Sequence, residues 1–322
     1  MTTPAAAPAS IGPRRSRGRF LLRRLGWSLL TFWVIVSAVF FLMRLAPGGP
    51  FDGERRLPPE VEANLRAAYH LDEPLPLQYL RYLGMLVQGD LGPSFRQKDF
   101  TVNELVAGGA PVSLTVGGLA LLLAAGFGVA IGTAAGTRAG GSVDRLLMGL
   151  SGLGLALPAI VVAPVAVLVF AVLLGWLPAG GTGSAAHYVL PPVALALPFV
   201  AAIARLTRGS VAETMSEAHV RTARAKGLPA LRILRRHVLP LALLPVVSFL
   251  GPAAAALLTG SVVIEQVFEL PGIGRYFVQG ALNRDYTLVM GVVVVYAALI
   301  LLFNLLVDLS YARLDPRIRL DA

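Results

Sequence analysis

Long uncharged runs alternate with short polar stretches along this 322-residue chain. The first run is Leu25–Met43, 19 residues without a charge. Crossing the hydrocarbon layer takes about 20 helical residues, against roughly 7–15 for a signal-peptide core. The pattern therefore predicts an uncleaved first span over 25–45, preceded by an arm at 1–24. The absence of charge from Leu105 to Thr137 predicts a second span near 112–136. Leu146–Ala204 holds 59 residues with no Asp, Glu, Lys or Arg, too many for one crossing. The Gly/Pro-rich GWLPAGGTGSAAHYVLPP divides it into spans near 147–174 and 189–207. Leu239–Ile264 and a last span near 286–308 complete six. The expectation is an all-α polytopic membrane protein with six transmembrane helices.

Between the first two spans, residues 46–111 form a long polar segment carrying nine of the 18 acids. PPEVEANLRAAYHL reads as a short helix with Pro at its start, and LPLQYLRYLGMLVQGDL as an amphipathic one. Tyr79, Tyr82, Leu83 and Leu86 recur at helical spacing. They suit either a helix lying on the membrane surface or a small packed cap.

Composition agrees with this reading. The chain is 56% hydrophobic and 14% charged, with mean hydropathy +0.70, whereas soluble domains carry about a quarter charged residues. The net charge of +10 sits at the ends of apolar runs, which is membrane topology and not a nucleic-acid face. Of the 28 Lys and Arg, 19 fall in the N-terminal arm, the 138–145 turn, the 205–236 region and the tail at 309–322. Seven of the other nine lie from Arg44 through the long polar segment, where translocated charge counts little. Both termini and the basic loop are thus expected in the cytoplasm.

Catalytic and cofactor chemistry finds little support. There is no cysteine, which removes disulfides and thiol chemistry. His70, His187, His219 and His237 are scattered and read as loop or interface residues. The span interiors hold no ionisable residue, and Arg44, Glu265 and Asp308 are placed at span ends, where interface water lowers their cost. That argues against a proton-coupled carrier. No phosphate-binding G-x-x-x-x-G-K-[ST] occurs. Gly128 and Gly132 read as a close helix-packing pair. The chain is expected to be no enzyme, to bind no cofactor or metal, and to take its energy from another polypeptide.

The remaining signal is Glu217–Pro240, EAHVRTARAKGLPALRILRRHVLP. Arg221, Arg224, Lys226, Arg232, Arg235 and Arg236 stand there against one acid, Glu217. Ser210–Lys226 has no Gly or Pro and reads as a single helix capped by Gly227, with cations in its last turn opposing the helix dipole. Pro229 can start a second helix that ends at Pro240. Two short helices joined at a glycine make either a knob for a partner's groove or a solvated positive loop against lipid headgroups.

Glu217, Ala223 and Gly227 at this spacing, then Ile233 and Leu239-Pro240, resemble the EAA loop of ABC-importer membrane subunits. VRTARAKGL is similar to the dipeptide/oligopeptide permease family. So are APGGP, DEPLPLQYLRYLG, GDLGPSF, EQVFELPGIGRYF, NRDY and LVDLSYARLDPRIR, in order along most of the chain. The long segment after the first span resembles the B-type subunit.

The resemblance implies a type I ABC importer permease fold in the bacterial inner membrane, with a five-helix core over 112–308. It implies a coupling loop at 208–238 that docks a cytoplasmic ATPase through Glu217, Arg221, Thr222, Ala223, Arg224, Ala225, Lys226 and Gly227, with small Ala223 and Ala225 allowing close approach. It further implies a second homologous permease, two ATPase subunits carrying ATP and Mg, an extracytoplasmic substrate-binding protein, and peptide as cargo. Relatives that carry nickel or other small solutes are the alternative within the family. A self-contained carrier or channel, or a membrane scaffold, is the alternative outside it. Glu265, Phe268, Pro271, Gly272 and Gly274 resemble the family's outer-edge motif. They are expected to form a gating turn or binding-protein contact, or plain loop packing. His219 departs from the family's usual tyrosine.

Overall fold

The computed structural model describes residues 17–45, 60, 63, 66–67, 70–97 and 99–314. The arm before residue 17, the tail after 314 and most of PPEVEANLRAAYHL lie outside these residues. The described chain is helical. Helix α1 is Arg17–Leu45, α2 Leu75–Val87, α3 Val102–Gly136, α4 Ser142–Ala156 and α5 Ala159–Ala166, the last continuing π-helically to Leu173. Helix α6 is Leu190–Met215, α7 Ala218–Ala225 and α8 Ala230–Ile233. A π-helical stretch and one further turn lead from α8 into α9, Leu244–Val267. Helices α10, Ile273–Leu282, and α11, Tyr286–Leu314, follow.

Among the described residues, five helices are long and apolar enough to cross a membrane, and α4 with α5 makes a sixth crossing if the bent pair counts as one. The expected straight span 147–174 is corrected, because α4 and α5 meet at 97°. Pro158 is the cause. Its ring pushes the preceding residue out of the helical region, and Leu157 is extended at φ −91°, ψ 113°. The second span starts earlier than 112, at Val102, because Thr101 caps it. The Glu104 N–H donates to Thr101 Oγ1 at 3.2 Å, and the Thr101 N–H donates to Glu104 Oε2 at 2.8 Å. Helix α6 likewise runs past 207 to Met215.

Lipid offers no hydrophobic drive for apolar helices to associate, so close backbone packing must do that work. Helices α3 and α6 achieve it with three glycines at i, i+4, i+8. A Cβ on Gly128 would lie 2.7 Å from Ile203 Cβ, one on Gly132 would be 2.5 Å from Thr207 Cβ, and one on Gly136 would be 2.8 Å from Arg208 O and Val211 Cβ. The expected pair Gly128 and Gly132 is therefore part of a longer stripe.

The polar segment packs as a cap. Tyr82 of α2 stacks on Phe40 of α1 and Tyr79 packs against the same ring at a tilt, with ring centroids 5.5 and 5.3 Å away. Ser37 Oγ lies 2.6 Å from the Tyr79 hydroxyl. The aromatic face of α2 thus meets the first span. Arg44 sits over the same Phe40 ring at 5.3 Å, a cation–π contact at the end of α1.

Candidate functional site

Two regions collect the residues singled out by sequence, one at each end of the bundle. At the basic end, the expected helix 210–226 is corrected, because the chain breaks after Met215. The Glu217 N–H turns back to Thr214 O at 3.1 Å, the Ser216 hydroxyl donates to Glu213 O at 2.7 Å, and Glu217 is extended with ψ 156°. The span α6 therefore ends in a tight turn, and α7 leaves as a separate eight-residue helix.

Helix α7 stops as expected at Gly227, which has φ +72°. The Gly227 N–H donates to Arg224 O at 2.9 Å, and the Leu228 N–H reaches back to Ala223 O at 3.3 Å. These two bonds form a Schellman turn, in which a glycine takes the left-handed position. Pro229 then leads into α8.

The eight expected coupling residues divide by burial. Glu217, Arg221, Thr222, Arg224, Ala225, Lys226 and Gly227 are exposed. Ala223 is 5% exposed and packs inward with Val220, Ile233, Val238, Ala242 and Val211 of α6. It therefore lies on the inner side of α7. Its small size lets α7 sit close to its own base, and Ala225 is the small residue that faces outward.

His219 ties α7 to the π-helical stretch that follows α8. Its Nε2 lies 3.0 Å from His237 O, and its Nδ1 lies 3.1 Å from Glu217 Oε2. Among the described residues, Arg221, Lys226, Arg232, Arg235 and Arg236 have no ion-pair partner. The outer face of this knob is therefore a set of unpaired cations on a rigid two-helix mount.

At the opposite end, Glu265 corrects the expectation most sharply. It does not meet interface water and is fully buried. Its Oε2 accepts from the Gly274 N–H at 2.8 Å and the Arg275 N–H at 3.3 Å. Ser113 Oγ of α3 accepts from the Ile273 N–H at 2.8 Å. The first three amides of α10 are thus satisfied by side chains from α9 and α3. The two glycines make room. A Cβ on Gly272 would collide with the Glu265 carboxylate, and one on Gly274 would lie 2.5 Å from Val262 Cα. Phe268 is buried and its carbonyl accepts from the Gly181 N–H at 3.0 Å. Of the five residues expected at an outer gate or binding-protein contact, only Pro271 is exposed. The other four are buried, and Glu265, Gly272 and Gly274 form an internal staple at the start of α10.

Asp285 was not foreseen as a site residue. It is 1% exposed. It accepts from the Ser94 hydroxyl, from the Phe95 N–H at 3.2 Å and from the Leu288 N–H at 3.1 Å. It therefore caps α11 while holding the polar segment down. The Thr287 hydroxyl reinforces the contact by donating to Pro93 O at 2.6 Å. The signal available in sequence was the presence of NRDY and GDLGPSF, with nothing to pair them.

The family model for the binding-protein-dependent transport system inner membrane component matches residues 128–320, and the chain belongs to that family. It is 50% identical over 303 residues to the oligopeptide transport system permease protein OppB of Escherichia coli (strain K12), covering 94% of this chain and 99% of that protein. It is 41% identical over 302 residues to the dipeptide transport system permease protein DppB of Bacillus subtilis (strain 168), covering 94% and 98%. Among solved structures, the MetNI methionine ABC transporter aligns with TM-score 0.54 and 18% identity, over 66% of this chain and 96% of that one. An amino acid ABC transporter aligns with TM-score 0.53 and 18% identity, over 66% and 94%. These two structures establish the fold alone.

Proposed function

We propose that this chain is the permease subunit that forms half of the translocation path in an ATP-driven importer of oligopeptides. The observation that carries the reading is the exposed cationic helix α7, mounted on α6 and closed by the Gly227 turn, in a chain with 50% identity to an oligopeptide permease over 94% of its length. Identity to the dipeptide permease is lower, at 41%, which favours the longer cargo.

In this reading a cytoplasmic ATPase grips the exposed face of α7 through Arg221, Thr222, Arg224, Ala225 and Lys226. Closure of the ATPase pair on ATP moves the knob as a unit, because Val220 and Ala223 pack it onto the end of α6. The spans tilt and the path opens toward a loaded binding protein. A second homologous permease supplies the other half, and ATP and Mg stay on the ATPases. Topology follows the basic end: the knob and both termini lie in the cytoplasm, and α2 and α10 lie outside.

Purification of the chain with its partners and reconstitution in liposomes tests this directly. ATP-dependent accumulation of labelled tri- to pentapeptides, abolished by omitting the binding protein, is the expected result. Gradient-driven transport by this chain alone, without ATP, would sink the reading.

A further inference from the structure

The basic end holds a second constellation that the docking surface does not use. Asp144, in the first turn of α4, is buried. Arg208 of α6 meets it with both arms of its guanidinium, Nε to Oδ1 at 3.0 Å and a terminal nitrogen to Oδ2 at 2.5 Å. Oδ2 also accepts from the Gly140 N–H at 2.8 Å, in the turn that joins α3 to α4. One carboxylate therefore fastens the α3–α4 turn to α6.

Two features give this pair a mechanical position. First, Asp144 is one of two buried residues among the fifteen of α4, the other being Ser151. The remaining close approach of α4 to α6 is through glycines, Gly152 against Arg205 and Gly154 against Ala201. Second, Arg208 stands one turn before Val211, which is fully buried and packs with Val220 and Ala223 of α7. Val211 also abuts Gly136 at the end of α3. A push on α7 therefore reaches α3 by steric contact through Val211, and reaches α4 by the bidentate pair. A planar, two-bond link transmits direction as well as force, which a single-point contact does not.

We propose that Asp144 and Arg208 are a positioning pair that carries the movement of α7 into the bent α4–α5 span. This rests on the importer reading above and adds the joint through which that importer is coupled. The pair touches no cargo. It makes α4 follow α6, so the knob and the bent span move together.

The test uses the complete complex in liposomes and reads peptide taken up per ATP hydrolysed. Asp144→Asn and Arg208→Gln are each expected to lower that ratio about tenfold, within the usual range of coupling between sites. The double variant should fall no further, as for two residues acting as one unit. Asp144→Glu, which keeps the carboxylate, should retain at least half of the ratio. A merely structural role would lower uptake and hydrolysis together and leave the ratio unmoved, and that result would overturn the proposal.

Because the chain has no cysteine, Asp144→Cys with Arg208→Cys can be bridged by a short bismaleimide within one preparation. Recovery of the ratio on bridging supports the joint, and a bridged subunit as uncoupled as the unbridged one refutes it. Wild type and Arg224→Glu run alongside separate the two readings. No ATP-driven uptake by wild type removes the importer and the joint together, whereas an uncoupled Arg224→Glu beside a normal Asp144→Asn removes the joint alone.

Discussion

The Ser94 hydroxyl donates to the carboxylate of Asp285, joining positions 191 residues apart. This contact holds the polar segment between α1 and α3 against the start of α11, and the same carboxylate caps that helix through the Leu288 N–H. Asp285→Ala strands these donors in a buried site and should cost about 2–3 kcal/mol. Asp285→Asn keeps an acceptor oxygen and should cost about 1 kcal/mol. Thermal denaturation of the purified subunit in detergent would reveal the order, and equal losses for Ala and Asn would contradict the assigned bonds.

Glu265 and Gly272 form the second joint at that end. Gly272→Ala drives a methyl into the Glu265 carboxylate, and overpacking of this kind costs about 1–3 kcal/mol. Glu265→Leu leaves the Gly274 and Arg275 amides uncapped and should match it. Glu265→Gln retains an acceptor for Gly274 and should be the mildest of the three. Amide exchange across Ile273–Leu282 checks the location of the damage. It should rise in the first two variants while α6 is undisturbed.

At the knob, Gly227→Ala places a side chain at φ +72°, a conformation costing about 1–2 kcal/mol for other residues. Arg224→Glu reverses an exposed charge that, among the described residues, contacts the Met215 sulfur at 3.7 Å. The glycine variant should loosen α7, read as lower protection of residues 218–227. The charge reversal should leave membrane insertion intact and cut ATP-driven uptake at least tenfold, within the range for lost coupling. Normal uptake by Arg224→Glu would remove it from the docking surface.

Tyr82 gives a prediction of opposite sign. Its hydroxyl is buried with no hydrogen-bond partner among the described residues, and burial pushes the phenol up to about 12, so it stays protonated at physiological pH. An unsatisfied buried polar group is a cost of about 1–3 kcal/mol. Tyr82→Phe keeps the ring against Phe40 and should be neutral or raise the melting temperature. A clear loss of stability would mean the hydroxyl has a partner after all.

The parts of this protein read from sequence depend on neighbours along the chain. Each span is announced by a local run of apolar residues, because the bilayer demands about 20 of them in a row. The end of α7 was legible for the same reason, since a glycine after a helix-compatible run has one common use. Where local rules compete, sequence erred. Ser210–Met215 and Ala218–Lys226 look continuous by propensity, yet the turn at Ser216–Glu217 breaks them so that Val220 and Ala223 can fold back onto Val211. Leu157 before Pro158 carried a readable break, but the 97° angle depends on what α4 and α5 pack against.

The polar joints were beyond that reach. Glu265 looked like an interface residue because it lies near the end of a span, and only the return of Gly272–Arg275 over it makes the site dry. Asp144 finds Arg208 across 64 residues, and Asp285 finds Ser94 across 191. A carboxylate's cost and use are set by the donors around it. Sequence by itself determined where the apolar runs, the basic end and the glycine stop of α7 fall, because bilayer thickness and backbone geometry act locally. Tertiary structure alone decided which acids are buried and what they fasten, because distant segments had to meet before those charges acquired partners.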